Sequence, residues 1–125
     1  MIIGIGTDIV HIPRMARLLE KHGDKIAKRL LAQQEWQQFQ TIHNPAAFLA
    51  KRFAAKEAVV KALGTGFRDG MRLSDIAVIS SSLGQPTLAF SGKVAQTVQQ
   101  LQINHSYISL SDEAAYAIAY VIMEQ

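Results

Sequence analysis

"RFAAKEAVVKALGTG", residues 52–66, poses the central problem of this chain. Its small apolar residues read as a buried helix, yet it carries Lys56, Glu57 and Lys61 and then stops on two glycines. Phe53, Glu57 and Lys61 are spaced i, i+4, i+8 and so share one stripe of the helix. The ordinary account of that stripe is a solvated Glu57–Lys61 pair contributing about 0.3 kcal/mol. The alternative is a site, which requires a second acid to meet Glu57 from elsewhere in the chain. Asn44-Pro45 predicts the start of this helix, with Asn as the cap and Pro at the first position. The helix is expected to run to about Leu63, with Gly64 as its left-handed stop.

Toward the N-terminus, "MIIGIGTDIV" (residues 1–10) alternates as a strand does. Ile3, Ile5, Thr7 and Ile9 point one way; Gly4, Gly6, Asp8 and Val10 point the other. Glycines within a strand mark close approach of another backbone or a ligand, so Asp8 lies on a face where something comes near. Its ordinary role would be a cap or turn hydrogen bond. The segment is short, lacks a basic leader and is interrupted by Asp8, so it reads as a strand rather than a signal peptide or membrane span. Pro13 opens a helix carrying "RMARLLEKH", which Gly23 ends. Asp24 is the cap expected for the next helix, "DKIAKRLL", and "AQQEWQQFQTI" is a third, with Trp36 and Phe39 in the core.

Beyond Gly66 the pattern changes. "FRDGMR" is a loop. "DIAVIS" and "TLAFS" read as paired strands around the Leu83–Pro86 turn. "KVAQTVQQLQ" is an amphipathic helix, and "SYISLS" and "YAIAYVIM" are closing strands joined near Asp112-Glu113. With no repeat or linker, residues 1–125 read as one α+β domain, a largely antiparallel sheet packed with helices. Its apolar fraction of 49% and charged fraction of 18% fit a soluble globule. The absence of cysteine excludes a disulfide scaffold or thiolate metal site and fits a reducing compartment.

Charge is uneven. Ten Lys/Arg against five Asp/Glu leave +5 in residues 1–63, whereas three against five leave −2 in residues 64–125, for a net +3. A basic N-terminal half suits an anionic partner, although solvated lysines alone would account for it.

"GIGTDIV" followed half-way along by "FAAKEAVVKALGTG", with "FLAKRFAAKEA" and the closing "ISLSDEAAYAIAYVIME", resembles the holo-acyl-carrier-protein synthases, the small 4′-phosphopantetheinyl transferases. The resemblance covers nearly the whole chain and implies that fold. It implies that Asp8 and Glu57 bind magnesium, that Glu57 and Lys61 are catalytic, and that Lys61 meets the coenzyme A pyrophosphate as a point charge. Gly64 and Gly66 would let the chain pass close to the coenzyme, with Gly84 and Pro86 as further contacts. The implied reaction moves 4′-phosphopantetheine from coenzyme A to a serine of an apo-acyl carrier protein, releasing 3′,5′-ADP, in support of fatty acid biosynthesis. Glu57 or a water on the metal would take the serine proton.

The implied partner is an acidic acyl carrier protein. Arg14, Arg17, Lys21 and Lys25 form the expected docking face, with Met15 or Leu18 as apolar anchors. The family also implies a cytoplasmic homotrimer with sites between subunits and no nucleic-acid or membrane partner. Two departures stand out. The family's usual histidine before the "ISL" core is replaced by Tyr107, with His105 two residues earlier, and its usual Gly-Lys-Pro turn reads Gly84-Gln85-Pro86. Two rival functions are a non-catalytic module for an acidic protein or nucleic acid, and a metal-dependent phosphohydrolase. The chain lacks the aromatic-basic pattern of an RNA binder.

Overall fold

The computed structural model describes residues 1–125. Strand β1 spans Ile2–His11 and leads directly into α1, Ile12–His22. Helices α2 (Asp24–Leu30) and α3 (Gln33–Phe39) follow, then the long α4, Pro45–Leu63. After a loop and a 3-10 turn at Leu73–Asp75 come β2 (Ile76–Ser80), β3 (Pro86–Phe90), α5 (Gly92–Gln100), β4 (His105–Glu113) and β5 (Tyr116–Glu124). All pairing is antiparallel. β1, β5 and β4 form one sheet in that order, and β2 and β3 form a separate hairpin.

Helix α4 begins and ends as its sequence dictates. Asn44 Oδ1 accepts from the Ala47 N–H at 3.2 Å, Pro45 occupies the first turn, and Gly64 closes the helix at φ 77°. Because the helix is apolar on all but one side, most of it from Phe48 to Leu63 is buried, with Glu57 and Lys61 on the open side, and it forms the centre of the molecule. It lies on one face of the three-stranded sheet, against Ala117, Ala119, Val121 and Met123 of β5, all fully buried. The glycines of β1 account for its close fit. A methyl group built on Gly6 would run into the Ala58 carbonyl, and one on Gly4 into that of Ala62. What comes near the glycine face of β1 is therefore α4 itself.

The opposite face of the sheet is apolar and open. Ile5 and Ile9 of β1 are more than half exposed, and Tyr107, Ile118 and Tyr120 stand on the same side. The closing strands thus supply both a core face and an uncovered one. Two local expectations are corrected. Asp24 is the first residue of α2 and makes no side-chain cap; Gly23, at φ 59°, makes the break alone. The turn between β4 and β5 falls at Ala114-Ala115 rather than Asp112-Glu113, because Ala114 takes the left-handed conformation at φ 52°. Trp36 and Phe39 stack at 5.7 Å but are only partly buried, at the edge of the core.

Candidate active site

Asp8 and Glu57 are brought to one place by the β1–α4 contact. In register, Asp8 pairs with Ala119 of β5, so its side chain shares the face on which α4 lies. Lys61 closes the arrangement. Its Nζ donates to Asp8 Oδ1 at 3.0 Å and to the Thr7 carbonyl at 3.0 Å. The i, i+4 pair with Glu57 that the helix spacing suggests does not form; the lysine binds across to the strand instead. Burial pushes the Glu57 carboxyl above its ordinary value, the Asp8 carboxylate adds to the rise, and Lys61 opposes it. Two acids that feel each other's charge, only one of them paired with a lysine, make a site for positive charge.

No third side chain of metal-binding type joins these two acids. Two carboxylates suit magnesium, which keeps several waters and takes ligands from substrate phosphates, better than zinc or calcium, which need fuller protein shells. The residues present therefore fit the ion that the family resemblance implies. Gly64 and Gly66, both left-handed at φ 77° and 64°, follow directly with open space at their α-carbons. A cavity of about 630 Å³ beside Glu57 has Phe67, Met71 and Leu73 on its apolar wall and Lys28, Arg29 and Arg72 on its basic one.

Gly84 and Pro86 lie elsewhere. They line a groove of about 520 Å³ with His43, Lys51 and Arg52, around the N-terminal half of α4. Lys51 is paired there with Asp112 at 3.4 Å. Within one chain, this groove and the Asp8–Glu57 pair are separate. His105 and Tyr107 are also remote. Tyr107 Oη donates to Glu124 Oε1 at 3.1 Å, and His105 Nδ1 lies 3.8 Å from the same oxygen. That hydrogen bond raises the Tyr107 phenol above its ordinary value. His105 pairs with Glu124, about 17 Å along β5 from the Ala119 that faces Asp8.

The basic residues of the N-terminal half divide. Arg14 and Lys25 border a groove of about 510 Å³ between α1, α2 and α4, floored by Met15, Leu18 and Phe53 and joined by Arg29. Arg17 and Lys21 are exposed on α1 outside it. Met15 is 4% exposed and serves as floor rather than as a protruding anchor; Leu18 is partly exposed.

A cluster that sequence reasoning passed over lies behind the site. Lys56 and Glu35 are buried completely and meet at 2.6 Å, and Arg52 lies 3.4 Å from the other Glu35 oxygen. Burial lowers the Lys56 ammonium, against the pull of Glu35, and burial lowers Arg52 in the same way. The available signal was two cations four residues apart on a helix apolar on its other faces.

A family model described as the 4′-phosphopantetheinyl transferase superfamily matches residues 4–121. The chain belongs to the 4′-phosphopantetheinyl transferase superfamily. Among similar proteins, the holo-[acyl-carrier-protein] synthase of Hydrogenovibrio crunogenus is 52% identical over 124 residues, covering 99% of this chain and 98% of its own. The crystal structure of holo-[acyl-carrier-protein] synthase from Neisseria meningitidis superposes with a TM-score of 0.94 at 38% identity, covering all of both chains. The Helicobacter pylori holo-[acyl-carrier-protein] synthase, solved in complex with coenzyme A, gives 0.84 at 28% identity, over 96% of this chain and 99% of that one. Its phosphopantetheinyl transferase membership makes this chain an enzyme with an α+β fold of known type.

Proposed function

We propose that this chain is a holo-[acyl-carrier-protein] synthase, one catalytic domain over residues 1–125. It transfers 4′-phosphopantetheine from coenzyme A to a serine of an apo-acyl carrier protein. The observation that carries this reading is the convergence of Asp8, Glu57 and Lys61 at the β1–α4 contact, in a chain 52% identical along its length to a protein of that name.

The serine oxygen attacks the β-phosphorus of coenzyme A. The bond from that phosphorus to the bridging oxygen breaks, 3′,5′-ADP leaves, and the serine proton passes to a base in the cleft. Asp8 and Glu57 would hold a magnesium ion, which supplies neutralising charge at the phosphate oxygens. Lys61, now bound to Asp8, is within a side-chain rotation of the same space and offers a compact cation to a pyrophosphate. Within this chain Glu57 would be the candidate for the base that takes the serine proton, the alternative being a water in the cleft. Positioning and electrostatics carry most of the rate in such transfers.

The open sheet face and the separate Gly84–Pro86 groove support a trimer with shared sites. Covering Ile5, Ile9, Ile118 and Tyr120 with a second copy would remove an apolar surface from water. It would also let the Gly84–Pro86 groove of one subunit meet the Asp8–Glu57 pair of the next. The Arg14–Lys25 groove is the docking surface for an acidic carrier. Arg14→Ala is expected to raise the KM for carrier protein about tenfold and that for coenzyme A less than about twofold, in steady-state assays at low salt. Equal effects on both would remove Arg14 from docking. The reaction would serve fatty acid biosynthesis in the cytoplasm, as the family resemblance implies.

The test is a mass spectrum of apo-carrier protein incubated with coenzyme A and this protein, with magnesium and with excess chelator. A phosphopantetheine-sized gain only with metal is the expected result. Free phosphopantetheine without carrier gain would mark a hydrolase, and carrier binding unaffected by chelator without any gain would mark a binding module. A native spectrum of the same preparation reads the oligomer, and a monomer that still transfers would remove the shared-site arrangement.

A further inference from the structure

Lys56 stands beside Glu57 in the chain but turns into the protein, where all three of its donors are used. Nζ donates to Glu35 Oε1 at 2.6 Å, to the Leu30 carbonyl at 2.8 Å and to the Leu73 carbonyl at 3.1 Å. Glu35 in turn accepts from the Ala32 N–H at 2.9 Å and the Val78 N–H at 3.0 Å. This one pair therefore ties the end of α2, the start of α3, the middle of α4, the turn after the glycine loop, and β2.

Such a pair is a poor way to stabilise a core. Two charges lose their hydration, and apolar residues of similar size commonly stabilise as well or better. What the pair does supply is position. Leu73, whose carbonyl Lys56 holds, lines both the cavity beside Glu57 and the Arg14–Lys25 groove. It is the ridge between the place of chemistry and the place where a carrier would dock. Arg29 also borders both, and it sits next to the Leu30 carbonyl that Lys56 binds.

Resting on the function proposed above, we propose that Lys56 and Glu35 are positioning residues: they fix the Leu73 ridge so that a serine delivered from the Arg14 groove arrives in line beside Glu57. Neither touches substrate. Their removal misaligns the reacting groups without weakening the binding of either partner.

The test is Lys56→Met/Glu35→Gln, which removes both charges of the pair, leaving Arg52 without its carboxylate neighbour, while the introduced amide keeps an acceptor for the backbone and for Arg52. In the folded variant, kcat is expected to fall about thirtyfold, because displacements of about 1 Å cost up to a hundredfold. KM for coenzyme A and for carrier should stay within about threefold. Amide exchange at Met71 and Asp75, which cap the turns before and within the ridge, should quicken about tenfold while that of β1 and β5 is unchanged. A wild-type kcat in the folded variant overturns the proposal, whatever the exchange shows; so does a KM rise with kcat intact. If the double variant does not fold, Lys56→Gln, which leaves Glu35 its Arg52 neighbour, is read in the same way, and a wild-type kcat there is equally fatal. A wild-type protein that transfers nothing refutes the function instead, and unchanged exchange near Leu73 in the variant still overturns the positioning.

Discussion

Glu57→Ala is expected to reduce phosphopantetheine transfer about a thousandfold while leaving thermal stability within about 1 kcal/mol of the wild type. The two parts follow from the same geometry. Glu57 faces Asp8 from the exposed side of a helix whose other faces are buried, so its removal opens no cavity in the core. Its carboxyl is raised by burial and by Asp8, so the folded protein holds it under strain rather than gaining from it. The loss of transfer comes from removing half of the acidic pair that would bind the metal. Removing a single preorganised electrostatic contact costs about a hundred- to a thousandfold in rate, and here a ligand and a candidate base go together. The measurement pairs single-turnover transfer, read by mass, with a thermal melt. Undiminished turnover would dismiss Glu57 from the chemistry, and a large fall in melting temperature would make it a structural residue.

Gly6→Ala should cost stability as well as the site. The added methyl meets the Ala58 carbonyl and lies 2.8 Å from the Ala62 backbone nitrogen, with no flexible side chain able to give way. Strand and helix must separate, at about 3 kcal/mol. For a chain of this size that is a fall of about 10 °C in Tm. Because the β1–α4 contact is also what carries Asp8 to Glu57 and Lys61, the folded remainder should bind magnesium poorly. A wild-type Tm in the Gly6→Ala variant would mean that β1 and α4 can part without penalty, and the site would then rest on something other than their contact.

The element order was legible because each signal was local. Asn44-Pro45 and Gly64 bracket α4 by backbone chemistry alone, and the alternation of residues 2–10 gives β1. The failures were also local. Asp24 resembles a cap, but Gly23 already makes the turn, and the last hairpin turns two residues later than its acidic pair suggests. For the candidate site, Asp8, Glu57 and Lys61 were named from motif resemblance, yet the pairing read from helix spacing was wrong: Lys61 reaches Asp8 on the neighbouring strand rather than Glu57 one turn earlier. Glu35 gave no signal at all. A glutamate among glutamines in a short helix looks solvated until β2 and α4 close over it.

The sequence by itself determined the strands, the helices, their order and the family, because caps, glycines and alternation act over a few residues. Only the tertiary structure decided which charges meet. It turned Lys56 inward and Lys61 across to Asp8, left Arg17 and Lys21 outside the groove that Arg14 and Lys25 border, and placed Gly84 and Pro86 in a groove of their own. The physical reason is range. A cap or a turn is settled by neighbours in sequence. The partner of a charge depends on which distant backbone can come close, and here that was set by two glycines that let α4 lie directly on β1.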